Sequence, residues 1–394
     1  MRRDSTSGSG PALVQGISDR LSSGMARSMP PMQTRMRLEP LLSDYGITRV
    51  AELTGLDVLE VPVFSAVRPC AATLAVSAGK GLERDAAWVS AVMESIEVAV
   101  AERYTAPCMV RDSAARVAPG YGTRQLNVHP VSLVDDKTML DWTSAWNLAD
   151  GRPALVPSAA VGLRGWTAER WHAPLFVTTS NGLAAGNDAV EATLHGLLEL
   201  IERHALSQAE RLPRQVVDPN CVGLRLAPLV ERLARAGATL EISLLTSLPG
   251  TATYICYLSQ PEMPQLFGGS GCHFNPLIAL ERALLEAVQS RVSTISGLRD
   301  DIAPWHYRWT VHKAIDRHPF GAAVCEPQPG KSLSSLREAL DTLVSAVSRY
   351  SGCPVLAVEL GEYGAFPAVV QVFAPGLQPS PSAPRPVALL AERQ

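Results

Sequence analysis

Glu191, His195, Glu199 and Glu202 recur at i, i+4, i+8 and i+11 within the stretch EATLHGLLELIERHA. At 3.6 residues per turn, that spacing keeps all four on one stripe of a helix. Leu194, Leu197, Leu198 and Ile201 flank the stripe, so carboxylates stand where an amphipathic helix would bury apolar groups. Ionised carboxylates are not buried unpaired, and several side by side require a cation among them. Two further helical stretches repeat the pattern. Residues 85–103 place Ser90, Glu94 and Glu97 at i, i+4 and i+7 among Val89, Val92, Met93 and Ile96. Residues 275–291 give Arg282, Glu286 and Gln289 the same spacing. Solvated helix faces ordinarily mix lysine with glutamate, and none of these central stripes holds a lysine.

Hard divalent cations take oxygen ligands, and Mg²⁺ completes its shell with water and phosphate oxygens after one or two carboxylates. Glutamates on facing helices therefore suit Mg²⁺ ions set along a nucleotide's phosphate chain. Cationic and backbone donors for such phosphates are at hand. Lys80 stands in SAGKG just before the first helix, and Arg203 and Arg282 lie on the other two. The small-residue run TTSNGLAAGND, 178–188, reads as a loop with free backbone N–H groups near a helix N-terminus. No GxxxxGK[ST] is present, and the GGSG at 268–271 fits no dinucleotide fingerprint. A zinc or two-metal hydrolase could use His195, Glu199 and Glu202, but the other two helices lack a histidine at metal spacing. His195 then reads as a packed or hydrogen-bonding side chain, and His204 as a cap of its helix end. Cys272 and His273 are adjacent, and neighbours on a strand point to opposite faces, which disfavours a thiol–imidazole pair.

These residues need a scaffold. The chain has 394 residues, 46% apolar and 19% charged, with a formal net charge of −3. That balance points away from nucleic-acid and membrane partners. Seven scattered cysteines without a CxxC argue against a disulfide framework and fit a reducing cytoplasm. No apolar run is long enough to span a bilayer, and the start lacks the apolar core of a signal peptide. Residues 1–36, rich in Ser, Gly, Met and Arg, read as a flexible extension. Residues 37–377 read as one catalytic core and 378–394 as an extended Pro-rich tail. Strands are expected around Val58, Val61, Val63 and Val67, and in ATLAVSAG, ATYICYLS and PAVVQVFAPG. Helices alternating with such runs give an α+β fold, with mixed sheets and packed helices around one composite site.

The segment SNGLAAGND…EATLHGLLELIERHA closely resembles the central signature of the YcaO family, ATP-dependent enzymes that modify peptide backbone amides. LAVSAGKGLERDAAWVSAVMESIE resembles that family's upstream nucleotide-binding segment, and LERALLEAVQSRVSTISGLRDD its downstream one. The likeness runs from about residue 45 to about residue 377. It implies that Lys80, Ser90, Asn187, Arg203 and Arg282 contact ATP, with Glu191 and Gln289 as weaker candidates. It implies that Glu94, Glu97, Glu199, Glu202 and Glu286 hold Mg²⁺, with Glu202 and Arg203 nearest the chemistry.

In the family a nucleophile adds to a peptide carbonyl, and the amide oxygen then leaves with the γ-phosphate. An internal Cys, Ser or Thr gives an azoline, a sulfide equivalent a thioamide and an amine an amidine. The opening YGITRVAELTGLDVLEVPVFSAVRP looks most like TfuA-associated members, many linked to thioamides. PSPSAPRPVALLAERQ interrupts the PxPxP ending of azoline-forming members, so a thioamide is the expected product and an azoline the alternative. The partners implied are a precursor peptide, a TfuA-like or leader-binding protein and a second copy in a homodimer. An ATP-binding accessory protein without peptide chemistry is the reading from a different class. The cysteines have no base or metal partner at catalytic spacing and are expected to be inert.

Overall fold

The computed structural model describes residues 27–163, 174–209, 214–245, 248–298, 335–362 and 364–378. Helix α1 (Pro31–Leu38) leads into β1 (Arg49–Glu52), β2 (Val63–Val67) and β3 (Val76–Lys80), an antiparallel sheet in that order. Helix α2 (Arg84–Arg103) leaves β3 after a short turn and packs back on it. Next come β4 (Val110–Ser113), α3 (Ala114–Val117), β5 (Met139–Asn147), β6 (Pro153–Pro157), β7 (Leu183–Gly186) and α4 (Ala189–Ser207). Then β8 (Arg214–Val217), α5 (Ala227–Arg235), β9 (Thr239–Leu245), β10 (Ala252–Gln260) and β11 (Met263–His273) precede α6 (Pro276–Ser296). The described core closes with α7 (Leu336–Ser351), β12 (Leu356–Glu359) and β13 (Ala368–Phe373). The second sheet runs β11-β10-β9-β8, and the third β4-β5-β12-β13-β7 with β6 on β5. The fold is α+β, and every described strand pairing is antiparallel.

Each of the three striped helices lies on a strand that glycine flattens. A Cβ on Gly79 of β3 would collide with the backbone of Ala87 and Ala91 in α2. A Cβ on Gly271 of β11 would collide with Ala279 and Ala283 of α6. The GGSG run is thus a helix-packing surface, which is why a dinucleotide pattern did not fit it. Close approach of this kind fixes the rotation of each helix about its axis. It sends Trp88, Val92 and Ile96, or Leu280, Leu284 and Val288, into the core and leaves the polar stripe at the edge of the contact.

Local signals set the helix ends. The Asp188 side chain accepts from the Glu191 N–H, an N-cap worth about 1 kcal/mol. Asn275 caps α6 in the same way, with Pro276 at its first position and Gly297, at φ +61°, ending it.

Three expectations change. Residues 27–36 are not a flexible extension: α1 begins at Pro31, with Thr34 buried. Val58, 65% exposed, and the buried Val61 both lie outside β2, which begins at Val63. The run 178–188 is not an open loop, because Leu183–Gly186 forms β7 against β13. The Pro-rich tail lies outside the described residues from 379 onward.

Candidate functional site

The three stripes converge. From α2, the Glu97 carboxylate accepts the Ala185 N–H of β7 at 3.1 Å. From α4, Glu199 accepts the Gly182 N–H at 3.3 Å and pairs with Arg203 at 3.6 Å. From α6, Glu286 pairs with Lys80 of β3 at 3.5 Å, and the Gln289 amide donates to the Ala78 carbonyl at 3.1 Å. Glu202 accepts from the Ser270 hydroxyl at 2.7 Å and the Cys272 N–H at 2.9 Å, both on β11. Ser90 is half-buried on the α2 stripe, one turn before Glu94.

The electrostatics divide this site into two sectors. In the acidic sector, burial and then the charges of Glu199 and Glu94 push the Glu97 carboxyl well above the usual range, against the Ala185 hydrogen bond. Burial pushes Glu199 up to about 7, with Glu202 adding to it and Arg203 opposing. Burial alone would weaken the hold of Arg203 on its proton, but Glu199, Glu202 and Glu286 outweigh it. In the cationic sector, burial and then Arg282, Arg27, Lys80 and His273 hold His195 well below its ordinary value. Burial, Arg282 and Arg27 likewise bring His273 down to about 3. Both imidazoles are therefore neutral. Nδ1 of His273 accepts from the Asn275 N–H at 2.9 Å, which leaves its proton on Nε2.

Carboxylates with raised pKa beside arginines and a lysine match a ligand carrying both signs, such as a polyphosphate with divalent cations. The residues present fit that group. Arg203 Nε, Arg282 Nε and Gln289 Oε1 are among the buried side-chain atoms of the described residues that have no hydrogen-bond partner. Buried polar atoms are ordinarily paired, so these two donors and one acceptor are open to a ligand. No three described His, Cys, Asp or Glu side chains stand close enough to hold a metal unaided.

Asn187 and Glu191 are placed differently from the rest. Glu191, 3% exposed, accepts from Arg27 Nη1 at 3.0 Å, from the Ser28 N–H at 2.9 Å and from the Ser28 hydroxyl at 2.8 Å. Asn187 donates to Glu191 and accepts from the Thr34 hydroxyl at 2.9 Å. Burial would raise the Glu191 carboxyl, but Arg27, Ser28 and Asn187 hold it below the usual range. Sequence reasoning missed Arg27, Ser28 and Thr34. Their one signal was Ser28 and then Pro30–Pro31 before MQTRMRL, an ordinary helix start. His204 does not cap its helix; its Nδ1 accepts from the Gln378 N–H and its Nε2 meets the Tyr350 hydroxyl at 3.0 Å. Burial pushes the Cys272 thiol up to about 12, so it is no nucleophile.

A family model described as YcaO cyclodehydratase, ATP- and Mg²⁺-binding, matches residues 78–378. An uncharacterized protein of Mycobacterium tuberculosis is 37% identical over 372 residues, covering 92% of this chain and 84% of the relative. An uncharacterized protein from the tfuA 3′ region of Rhizobium leguminosarum bv. trifolii is 36% identical over 313 residues, covering 72% and 70%. The Methanopyrus kandleri YcaO structure bound with AMPPCP and Mg²⁺ superposes with a TM-score of 0.68 at 22% identity, covering 89% of this chain and 92% of that one. A heterocyclase in complex with substrate and cofactor superposes with a TM-score of 0.75 at 20% identity, covering 91% and 54%. Among the described residues, no helix is long and apolar enough to cross a membrane.

Proposed function

The chain belongs to the YcaO family, and from that premise we propose that it activates a peptide backbone amide at the expense of ATP and delivers a thioamide. The observation that carries the reading is the set of orphaned buried atoms on Arg203, Arg282 and Gln289 beside the carboxylates of α2 and α4. Mg²⁺–ATP bound there would supply the phosphoryl group that turns the amide oxygen into a phosphate leaving group.

The side chains have separate tasks. Arg203 and Arg282 offer fixed N–H donors to equatorial phosphate oxygens, with no reorganisation at the moment of reaction. Lys80, held by Glu286, adds a third positive charge. Glu94, Glu97, Glu199, Glu202 and Glu286 would hold the cations, and a divalent ion would bring the raised Glu97 and Glu199 back to carboxylates. Glu202 is anchored on β11 by two hydrogen bonds, so it presents its charge at a fixed place next to Arg203. The sulfur comes from a sulfide-class donor: a C–S bond forms, the C–O bond breaks, and the oxygen departs on inorganic phosphate.

Support for the thioamide comes from the opening segment resembling TfuA-associated members, and from the relative described as lying in the tfuA 3′ region. A TfuA-like protein is then the natural partner, a ribosomal precursor peptide the substrate and the cytoplasm the compartment. The family description as a cyclodehydratase favours azoline formation as the second reading. The deciding experiment mixes the protein with the peptide encoded in its gene neighbourhood, the TfuA-like partner, ATP, Mg²⁺ and sulfide. Replacement of one peptide oxygen by sulfur supports the thioamide, and loss of water without sulfur supports the azoline. ADP release with no change in peptide mass refutes both and leaves an accessory ATPase.

A further inference from the structure

We propose that the cleft beside Glu199 is the acceptor subsite, and that it takes an uncharged, apolar side chain flanking the amide to be modified. This rests on the peptide-modifying function proposed above. The cleft has a cavity volume of about 70 Å³, room for about one side chain rather than a whole ligand. Its walls include Asn127, Phe176, Asn181, Leu200, Phe373 and Leu377, and no charged side chain is among the described lining residues.

Position ties the cleft to the chemistry. Leu200 follows Glu199 on α4, and Asn181 precedes Gly182, whose N–H Glu199 accepts. The residues flanking an amide presented to Arg203 and Glu199 have two neighbouring surroundings here, the charged site and this cleft. The two surroundings are opposite in character. An ionised side chain in the cleft would lose its hydration with no described charge to replace it, whereas an apolar one gains by burial against Phe176, Leu200 and Phe373. The wall itself is built like a strand pair: the Val177 N–H donates to the Asn127 carbonyl at 2.8 Å, and Asn127 Nδ2 donates back to the Val177 carbonyl at 3.3 Å. Side-chain amides such as Asn181 and Asn127 carry both a donor and an acceptor, the pair that a peptide backbone presents.

The test uses the full-length protein with Mg²⁺ and a non-hydrolysable ATP analogue, and a blocked glycine-rich pentapeptide carrying a leucine-sized diazirine side chain. After irradiation, cross-links are mapped by mass spectrometry. The expected labels fall within 176–181, at Leu200 or within 373–377. A leucine-bearing competitor should suppress them at a concentration about tenfold lower than an aspartate-bearing one. Thr179→Asp supplies a second arm. Thr179 Oγ1 accepts the Asn181 N–H at 3.3 Å, and an Asp carboxylate makes the same turn, so the loop keeps its shape while the cleft gains a charge. In that variant a lysine-bearing competitor should become at least as effective as the leucine one. Labels elsewhere, no labels at saturating peptide, an unchanged competitor order in Thr179→Asp, or labels appearing only after removal of residues 379–394 would each overturn the assignment. Cleft labelling without any ATP-dependent peptide mass change in the deciding experiment above would uphold the cleft and refute the reaction.

Discussion

The Glu97 carboxylate on α2 takes the backbone N–H of Ala185 on β7 at 3.1 Å, across 88 residues of sequence. Glu199 does the same for Gly182 at 3.3 Å. The outer strand β7, at Ala185, and the residue just before it, Gly182, thus donate to two carboxylates of the site rather than to another strand. Buried backbone donors must be satisfied, so the same contacts close the sheet edge and hold both acids against each other's charge.

That arrangement predicts an inverted pH dependence. Glu199 has a native pKa of about 7 against an ordinary 4.5, and Glu97 moves in the same direction. These two groups bind more protons in the native state than in the unfolded one between those values, so their contribution to stability is fullest below pH ~4.5 and declines as pH rises through about 7. The loss is on the order of a few kcal/mol, at about 1.4 kcal/mol per pKa unit. Denaturant melts from pH 5 to 8 without nucleotide should show the decline. Glu199→Gln should flatten it, and Mg²⁺ with an ATP analogue should do so too. A stability that rises across this range contradicts the burial assigned to these acids.

Glu202→Gln should abolish peptide-dependent ATP hydrolysis in a folded protein. The glutamine oxygen can still accept from Ser270 or Cys272, so the stability cost should stay near 1–2 kcal/mol. Circular dichroism and a coupled phosphate assay check the two halves separately. Normal turnover in this variant would remove Glu202 from the metal assignment.

Arg27→Met should weaken the protein by about 1–2 kcal/mol, because Glu191 is buried while Arg27 is partly exposed and solvent screens the pair. It should also raise the KM for ATP, since Arg27 borders the cationic sector. The sign follows from Glu191, whose pKa is depressed: its stabilisation is present above the ordinary glutamate range and is lost as pH falls through the native value. The gap between variant and parent, read by urea titration, should therefore narrow as pH falls below the ordinary glutamate value of 4.5. A gap independent of pH would mean Arg27 acts by packing alone.

Cys272→Ala should leave turnover within a few fold. The thiol is protonated at neutral pH, and the bond to Glu202 comes from the Cys272 backbone N–H, which alanine keeps. Complete loss of activity in a folded variant would revive a sulfur-carrying role.

What was legible in the chain follows from distance along it. The helices carrying Glu94, Glu199 and Glu286 could be read because their periodicity is local. Their convergence was legible only through the charge argument, that lysine-free carboxylate stripes need a shared cation. The α1 segment was misread because its order comes from Glu191 and Asn187, more than 150 residues away. The β7 strand escaped notice because LAAG has no β-branched residue, and its pairing depends on β13 and the two carboxylates. The cleft has no motif at all, since it is assembled from segments around 126, 177, 200 and 373.

The central claim is that the phosphoryl group goes to the amide oxygen. A precursor peptide carrying a heavy-oxygen label at the backbone carbonyl tests it directly. The protein should convert ATP and peptide in equal amounts and release inorganic phosphate bearing the label, whether the product is a thioamide or an azoline. Phosphate whose new oxygen comes only from water, or ATP turnover that leaves the label in the peptide, would contradict the account.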